Sequence, residues 1–176
     1  MVKNITTFIL TLGGLFLLFV ASALIPQDSI RENVIKSTLE YKKVKPQEFT
    51  NGNKFNSLTD NYADVIELGV MWNMTDENPI KAILDSRYYD GNTEKRDYGE
   101  NYGFYANVNK GVEPNTDYTR YWHGDVIYLR ALHVFTNIVN IRIILMSVCM
   151  ALLACLCWKL FRDGRRAVAI MTIAAL

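Results

Sequence analysis

Residues 5–25 contain no charged side chain, and apolar residues dominate again from 138 to 176, whereas 26–137 hold most of the charges, tyrosines, asparagines and glycines. A chain divided in this way cannot close into one water-soluble globule, because the middle is too polar to share a core with both ends. At 1.5 Å of rise per residue, the first run reaches roughly 30 Å, the thickness of a bilayer's hydrocarbon core. Residues 1–25 are therefore expected to form an amino-terminal transmembrane helix. Lys3 and the small-residue triplet Ala21-Ser22-Ala23 also fit a cleaved signal peptide. The run exceeds the usual signal-peptide apolar length of roughly 7 to 15 residues, which favours an uncleaved anchor. On either reading the segment that follows is exported.

A second transmembrane helix is expected over 138–161, its apolar centre starting at Ile143, with Arg142 at one edge and Lys159 able to snorkel at the other. Lys159, Arg162, Arg165 and Arg166 then face the single acid Asp163, so 162–166 reads as a short basic loop retained in the cytoplasm. The amino terminus is then cytoplasmic and 26–137 extracytoplasmic. A third apolar run, 167–176, offers roughly 15 Å of helix, about half a crossing, and reads as the start of a truncated third transmembrane helix. The expected fold class is mainly α and integral membrane: two full transmembrane helices plus the start of a third, flanking a mostly helical exported domain.

A formal net charge of +1 supplies no basic stripe for phosphate neutralisation, so no nucleic-acid partner is expected. Cys149, Cys155 and Cys157 all lie in the second apolar stretch, which leaves the exported loop domain, 26–123, without a thiol for a disulfide or a zinc site. Within it, Ile30, Val34, Thr38 and Tyr41 recur at helical spacing over 29–42, with Ile35 and Leu39 beside them. Thr59-Asp60 caps a helix over 61–74 with Val65, Leu68, Met71 and Trp72 as its apolar stripe, and Asn78-Pro79 opens another to about Tyr88. Gly91, Gly99, Gly103, Gly111 and Pro114 make 91–116 a long loop. Residues 124–137 read as a juxtamembrane amphipathic helix lying at the interface, its apolar majority interrupted by Arg130 and His133, with Asn137 and Asn140 breaking or capping it before the span.

The segment Arg120-Tyr121-Trp122-His123-Gly124-Asp125 brings a cation, two aromatics, an imidazole and a carboxylate together just above the expected membrane plane. Arg120 and His123 would meet the phosphate of a lipid-borne substrate while Tyr121 and Trp122 stack on its sugar. A structural reading stands beside this one: tyrosine and tryptophan populate membrane interfaces, arginine binds lipid head groups, and Gly124-Asp125 caps the next helix. Asp60 and Asp64, four apart, would serve as a general base or hold a divalent cation, or else act as helix cap and first-turn acid. Asp28, near Glu32, presents the same choice immediately after the first span. His123 and His133 would be roughly 80° out of register on one helix, with no third ligand, so a histidine metal site is not expected. No nucleophile elbow, phosphate-binding glycine loop or cofactor fingerprint occurs.

The order of elements, with Trp122-His123-Gly124-Asp125-Val126-Ile127-Tyr128-Leu129, then Asn140-Ile141-Arg142-Ile143-Ile144, then Leu160-Phe161-Arg162-Asp163-Gly164-Arg165-Arg166-Ala167, resembles the amino-terminal part of GT-C-type membrane glycosyltransferases. It is also similar to bacterial membrane proteins carrying an Arg-Tyr-Trp-His-Gly segment, here Arg120 to Gly124. Where many members of the superfamily carry an acidic pair soon after the first span, this chain has the spaced Asp28 and Glu32, then Asp60 and Asp64. The resemblance implies transfer from a polyprenyl-phosphate-linked sugar to a glycan acceptor in cell-envelope assembly, next to membrane lipid. Asp60, Asp28 or Asp64 would be the catalytic carboxylate, and Arg120, Tyr121, Trp122 and His123 the substrate-binding group. The alternatives are a membrane-anchored sensor or ligand-binding protein, or a non-catalytic envelope scaffold whose tyrosine-rich loop holds a partner.

Overall fold

The computed structural model describes residues 2–43, 61–91, 99–120 and 123–174. The first apolar run forms one uninterrupted helix, α1 (Val2–Ala23), whose Phe8, Ile9, Leu10, Phe16, Leu17 and Leu18 are all exposed. A helix that is apolar around its circumference and lies uncovered has the pattern of a membrane-facing element. Among the described residues, two helices are long and apolar enough to cross a membrane, one over Asn4–Ala23 and one over Ile138–Arg162. The described residues are mostly helical and divide into two compact units, Met1–Ile138 and Val139–Leu176.

In the first unit, α2 (Gln27–Lys43) starts directly after α1 and buries Ile30, Val34, Ser37, Thr38 and Tyr41, the face expected from the spacing. Leu39 stays exposed. Helix α3 (Asn61–Asn73) buries Ile66 and Val70 as well as the expected stripe, so it is covered on more than one side and forms the centre of the unit. The short α4 (Pro79–Leu84) begins as expected, with the Asn78 side chain accepting hydrogen bonds from the amides of Ile80 and Lys81. It stops before the expected boundary. Arg87–Tyr88 instead form β1, which pairs antiparallel with β2 (Thr116–Asp117) in the register Arg87 to Asp117 and Tyr88 to Thr116.

The expected loop over 91–116 contains a helix, α5 (Gly99–Lys110), which packs on α2 and α3 and buries Asn101, Phe104, Ala106, Asn107 and Val108. Its glycines mark close approach rather than freedom. A Cβ on Gly103 would lie 2.5 Å from the Tyr89 carbonyl oxygen and 2.7 Å from the Gly91 nitrogen. The asparagines fasten the helix: Asn101 Nδ2 donates to the Tyr41 carbonyl at 3.2 Å and Asn109 Nδ2 to Thr38 Oγ1 at 2.8 Å.

Helix α6 (Val126–His133) is shorter than expected and packs on α1, α2 and α3. The residues that interrupt its apolar run are among its most deeply buried, Arg130 at 2 % exposure and His133 at 0 %. Arg130 donates to the carbonyls of Ile25, at 2.8 and 3.2 Å, and Met71, at 2.7 Å. These carbonyls lie where α1 gives way to α2 and in the last turn of α3, where helices present unsatisfied acceptors and the negative end of the dipole. His133 Nδ1 donates to the Leu129 carbonyl at 2.7 Å, and Nε2 lies 3.2 Å from Ser37 Oγ. The Ser37 hydroxyl shares its one proton between that nitrogen and the Asn33 carbonyl, and its oxygen accepts from the Ile138 amide at 2.9 Å. α6 is thus buried among its neighbours, and polar side chains do the fastening because backbone acceptors face it from the α1–α2 corner and from the end of α3.

In the second unit, α7 (Ile138–Arg162) continues through Asn140 without the expected break. It ends where Gly164 adopts φ 77°, with the Arg165 amide donating to the Leu160 carbonyl and the Gly164 amide to that of Phe161, a Schellman cap. α8 (Arg166–Ala174) follows at once.

Candidate functional site

α3 carries Asp64 and Glu67 three residues apart, one helical turn, and the start of α6 carries Asp125 and Tyr128 at the same spacing. α3 and α6 pack together, and β1 packs on α3. The β1–β2 pairing delivers Tyr118 to this region: its ring meets Tyr88 edge-on with centroids 5.9 Å apart, and the His123 ring lies 5.7 Å beyond.

His123 is held at both nitrogens. Nε2 lies 2.6 Å from the Tyr118 carbonyl oxygen and Nδ1 lies 2.8 Å from Glu67 Oε2. A carbonyl and a carboxylate only accept, so the ring satisfies both by donating twice, as an imidazolium. The Glu67 hydrogen bond holds its pKa above the ordinary histidine value, against the opposing effect of burial. With side-chain exposures of 11 % and 14 %, the pair is shielded from the solvent that weakens surface ion pairs.

Asp125 occupies the N-cap position of α6, but its side chain makes no capping hydrogen bond and its backbone is already helical, φ −68° and ψ −25°. Its carboxyl group instead lies beside that of Glu67, where the two share a hydrogen bond while one of them is protonated. Burial, then the charge of Glu67 and the hydrogen bond they share, push its pKa up to about 6. Tyr128 is 41 % exposed, and its hydroxyl is held protonated to higher pH by partial burial and by the charges of Asp125, Asp64 and Glu67. Tyr41 donates its hydroxyl to Asp64 Oδ2 at 3.1 Å.

Of the residues expected from sequence, the fold brings Asp64 and His123 into one neighbourhood. Asp60, Tyr121 and Trp122 lie outside the described residues. Asp28 stands apart on the surface, its side chain 88 % exposed and 3.1 Å from Arg31. Arg120 is exposed. The role expected for His123 changes, because both ring nitrogens are committed within the protein and neither is left to meet a phosphate. Sequence reasoning missed Glu67 and Tyr128, named Asp125 both as the carboxylate of the Arg120 to Asp125 cluster and as a cap, and placed Tyr41 only on the periodic face of α2. The available signal was the repeated three-residue spacing of Asp64 with Glu67 and of Asp125 with Tyr128.

Chemically, the group combines a carboxyl that ionises near neutrality, a carboxylate and an imidazolium in hydrogen-bonded sequence, an arrangement able to take up and return protons. Among the described residues, no group of three His, Cys, Asp or Glu side chains is placed to hold a metal ion. The Ser37–His133 pair resembles a nucleophile and base, but both residues are wholly buried and committed to backbone groups, so it fastens helices. Compared with known proteins, the chain matches no family model, no curated protein and no solved structure.

Proposed function

We propose that this chain serves a membrane glycosyltransferase acting on a polyprenyl-phosphate-linked sugar at the exported face, with Glu67, His123 and Asp125 as its proton-handling group. The observation that carries the reading is the carboxyl of Asp125, which makes no capping hydrogen bond and lies against Glu67 with its pKa raised to about 6. A general base is most effective when its pKa lies near the working pH.

In the proposed reaction the acceptor hydroxyl attacks the anomeric carbon of the donor sugar as the bond from that carbon to the phosphate oxygen breaks. Polyprenyl phosphate leaves as an anion, and the hydroxyl proton passes to ionised Asp125. Glu67 and His123 position that carboxylate, and exposed Arg120 is the cation nearest in sequence for the phosphate. The two long apolar helices support a membrane setting. The cations Lys159, Arg162, Arg165 and Arg166 at the far end of α7 favour placing that turn in the cytoplasm and the polar domain outside.

The test is transfer of labelled sugar from a polyprenyl-phosphate donor by the full-length protein in membranes, compared with Asp125→Asn. Loss of about 100-fold or more with unchanged helical content is expected. A normal rate in the variant removes Asp125 from the role of base, and absence of transfer by the wild-type protein across polyprenyl-linked donors overturns the transferase reading.

A further inference from the structure

We infer that His123 is a proton-operated joint, fastening the opening turn of α6 to α3 when its ring carries both protons and loosening it when one is lost.

The joint follows from the polarity of its hydrogen bonds. The Tyr118 carbonyl requires a proton on Nε2, and Glu67 Oε2, at 2.8 Å, requires one on Nδ1. A neutral ring has one N–H and must give up a contact. With the proton on Nε2, a bare nitrogen lone pair would face a carboxylate; with it on Nδ1, a lone pair would face a carbonyl. Proton transfer within the pair keeps the contact, since a protonated Glu67 would donate to Nδ1, so it is net loss of the proton between them that opens the joint.

The consequence reaches the helix through the backbone. The carbonyl of His123 accepts from the Val126 amide at 3.2 Å and that of Gly124 from the Ile127 amide at 3.4 Å, so the first turn of α6 is built on the residue the joint holds. The titratable groups that act on the ring are Glu67 of α3, Asp125 at the start of α6 and Tyr118 just after β2; Asp64 and Tyr128 act on this cluster through each other and through Glu67 and Asp125. Those that carry charge at neutral pH are acids, which favours the doubly protonated ring.

The sign of the pH response follows. His123 is raised above its ordinary value of about 6.5, so the joint contributes fully below about pH 6.5 and its contribution is lost as pH rises through the higher folded value. Asp125 ionises first, near 6, and the negative charge it gains helps to keep the second proton on His123. This regulates the site proposed above and rests on that reading for its biological consequence, since loosening α6 would withdraw Asp125 and Tyr128 from Glu67.

The experiment reads protonation and backbone protection rather than sugar transfer, so the joint and the transferase reading can fail separately. The full chain, labelled with 15N-histidine and reconstituted in nanodiscs, has two histidines to follow by NMR, His123 and His133. Amide exchange at Val126 and Ile127, corrected for intrinsic rates, is measured over the same pH range. Both His123 nitrogens are expected to be protonated at pH 6.5, with Val126 exchange accelerating about tenfold along the His123 titration, the equivalent of one lost hydrogen bond. Glu67→Gln should lower that titration and leave Val126 weakly protected at every pH, with an unchanged His133 signal reporting an intact fold. The wild-type protein decides the matter even if that variant does not fold: a neutral His123 at pH 6, or Val126 protection that ignores its titration, overturns the inference.

Discussion

Arg130 holds the carbonyl oxygen of Ile25 between Nη2 at 2.8 Å and Nε at 3.2 Å, joining residues 105 positions apart. Its Nη1 reaches Met71 at the same time, so one guanidinium ties the α1–α2 corner to the end of α3. No carboxylate is among these three bonds. Burial lowers the pKa only to about 10, so the group stays charged at neutral pH, its charge met by carbonyl dipoles.

Replacing Arg130 with methionine fills much of the same volume and leaves two buried carbonyls without donors. A loss of about 3 kcal/mol is expected. Arg130→Lys, which keeps the charge but not the fork, should lose less. Denaturant unfolding in nanodiscs followed by circular dichroism measures both, and an unchanged midpoint in Arg130→Met would show that these bonds contribute nothing net.

The glycines separate by environment. Gly103→Ala would drive a methyl group into the backbone of Tyr89 and Gly91, and is expected to cost about 3 kcal/mol and to detach α5. Gly111 has open space but φ 65°, so its alanine variant should lose only about 1 kcal/mol. Thermal unfolding of the two variants side by side checks the order.

His133 responds to pH with the opposite sign to His123. Burial lowers its pKa, so its contribution is complete above about pH 6.5 and declines as pH falls from there toward the lower folded value. His133→Gln should flatten this part of the acid dependence. Ser37→Ala, which strands the Ile138 amide, is expected to cost about 2 kcal/mol at any pH. Urea titrations between pH 5 and 8 distinguish the two effects.

Asn78 and Asp125 stand at comparable helix starts but should behave differently. Asn78→Ala removes a cap with two acceptor bonds and should cost about 1 kcal/mol. Asp125→Asn removes no cap. Because the folded pKa of Asp125 is raised to about 6, its stabilising contribution is complete below about pH 4 and lost by neutrality. A neutral asparagine escapes that loss, so the variant should be more stable than wild type at pH 7 and equal to it at pH 4. A less stable variant at pH 7 would show that the carboxylate is a structural ligand.

The helices that were legible in the sequence are those whose burial is apolar and periodic. Ile30, Val34, Thr38 and Tyr41 announced α2, and Asn78-Pro79 announced the start of α4. Helix α5 was illegible for a physical reason: Gly99, Gly103, Asn101 and Asn107 are loop formers in isolation. Here the glycines admit neighbouring backbone and the buried asparagines find carbonyl partners. The candidate site was legible only in pieces. Asp64 and His123 stood out by type, but Glu67, 56 residues from His123, could be recognised only once α3 and α6 were packed together.

The sequence by itself determined the division into apolar ends and a polar helical middle, because uninterrupted apolar length is a property of neighbours along the chain. Tertiary structure decided which polar residues are buried and in what protonation state. Arg130, His133, His123 and Asp125 each carry a group that functions as a fastener, a proton carrier or a cap depending on the acceptor opposite. Met71 and Glu67 on α3 and Ser37 on α2 supply these partners, beside the Leu129 carbonyl of α6 itself, so short-range sequence pattern carries little record of them.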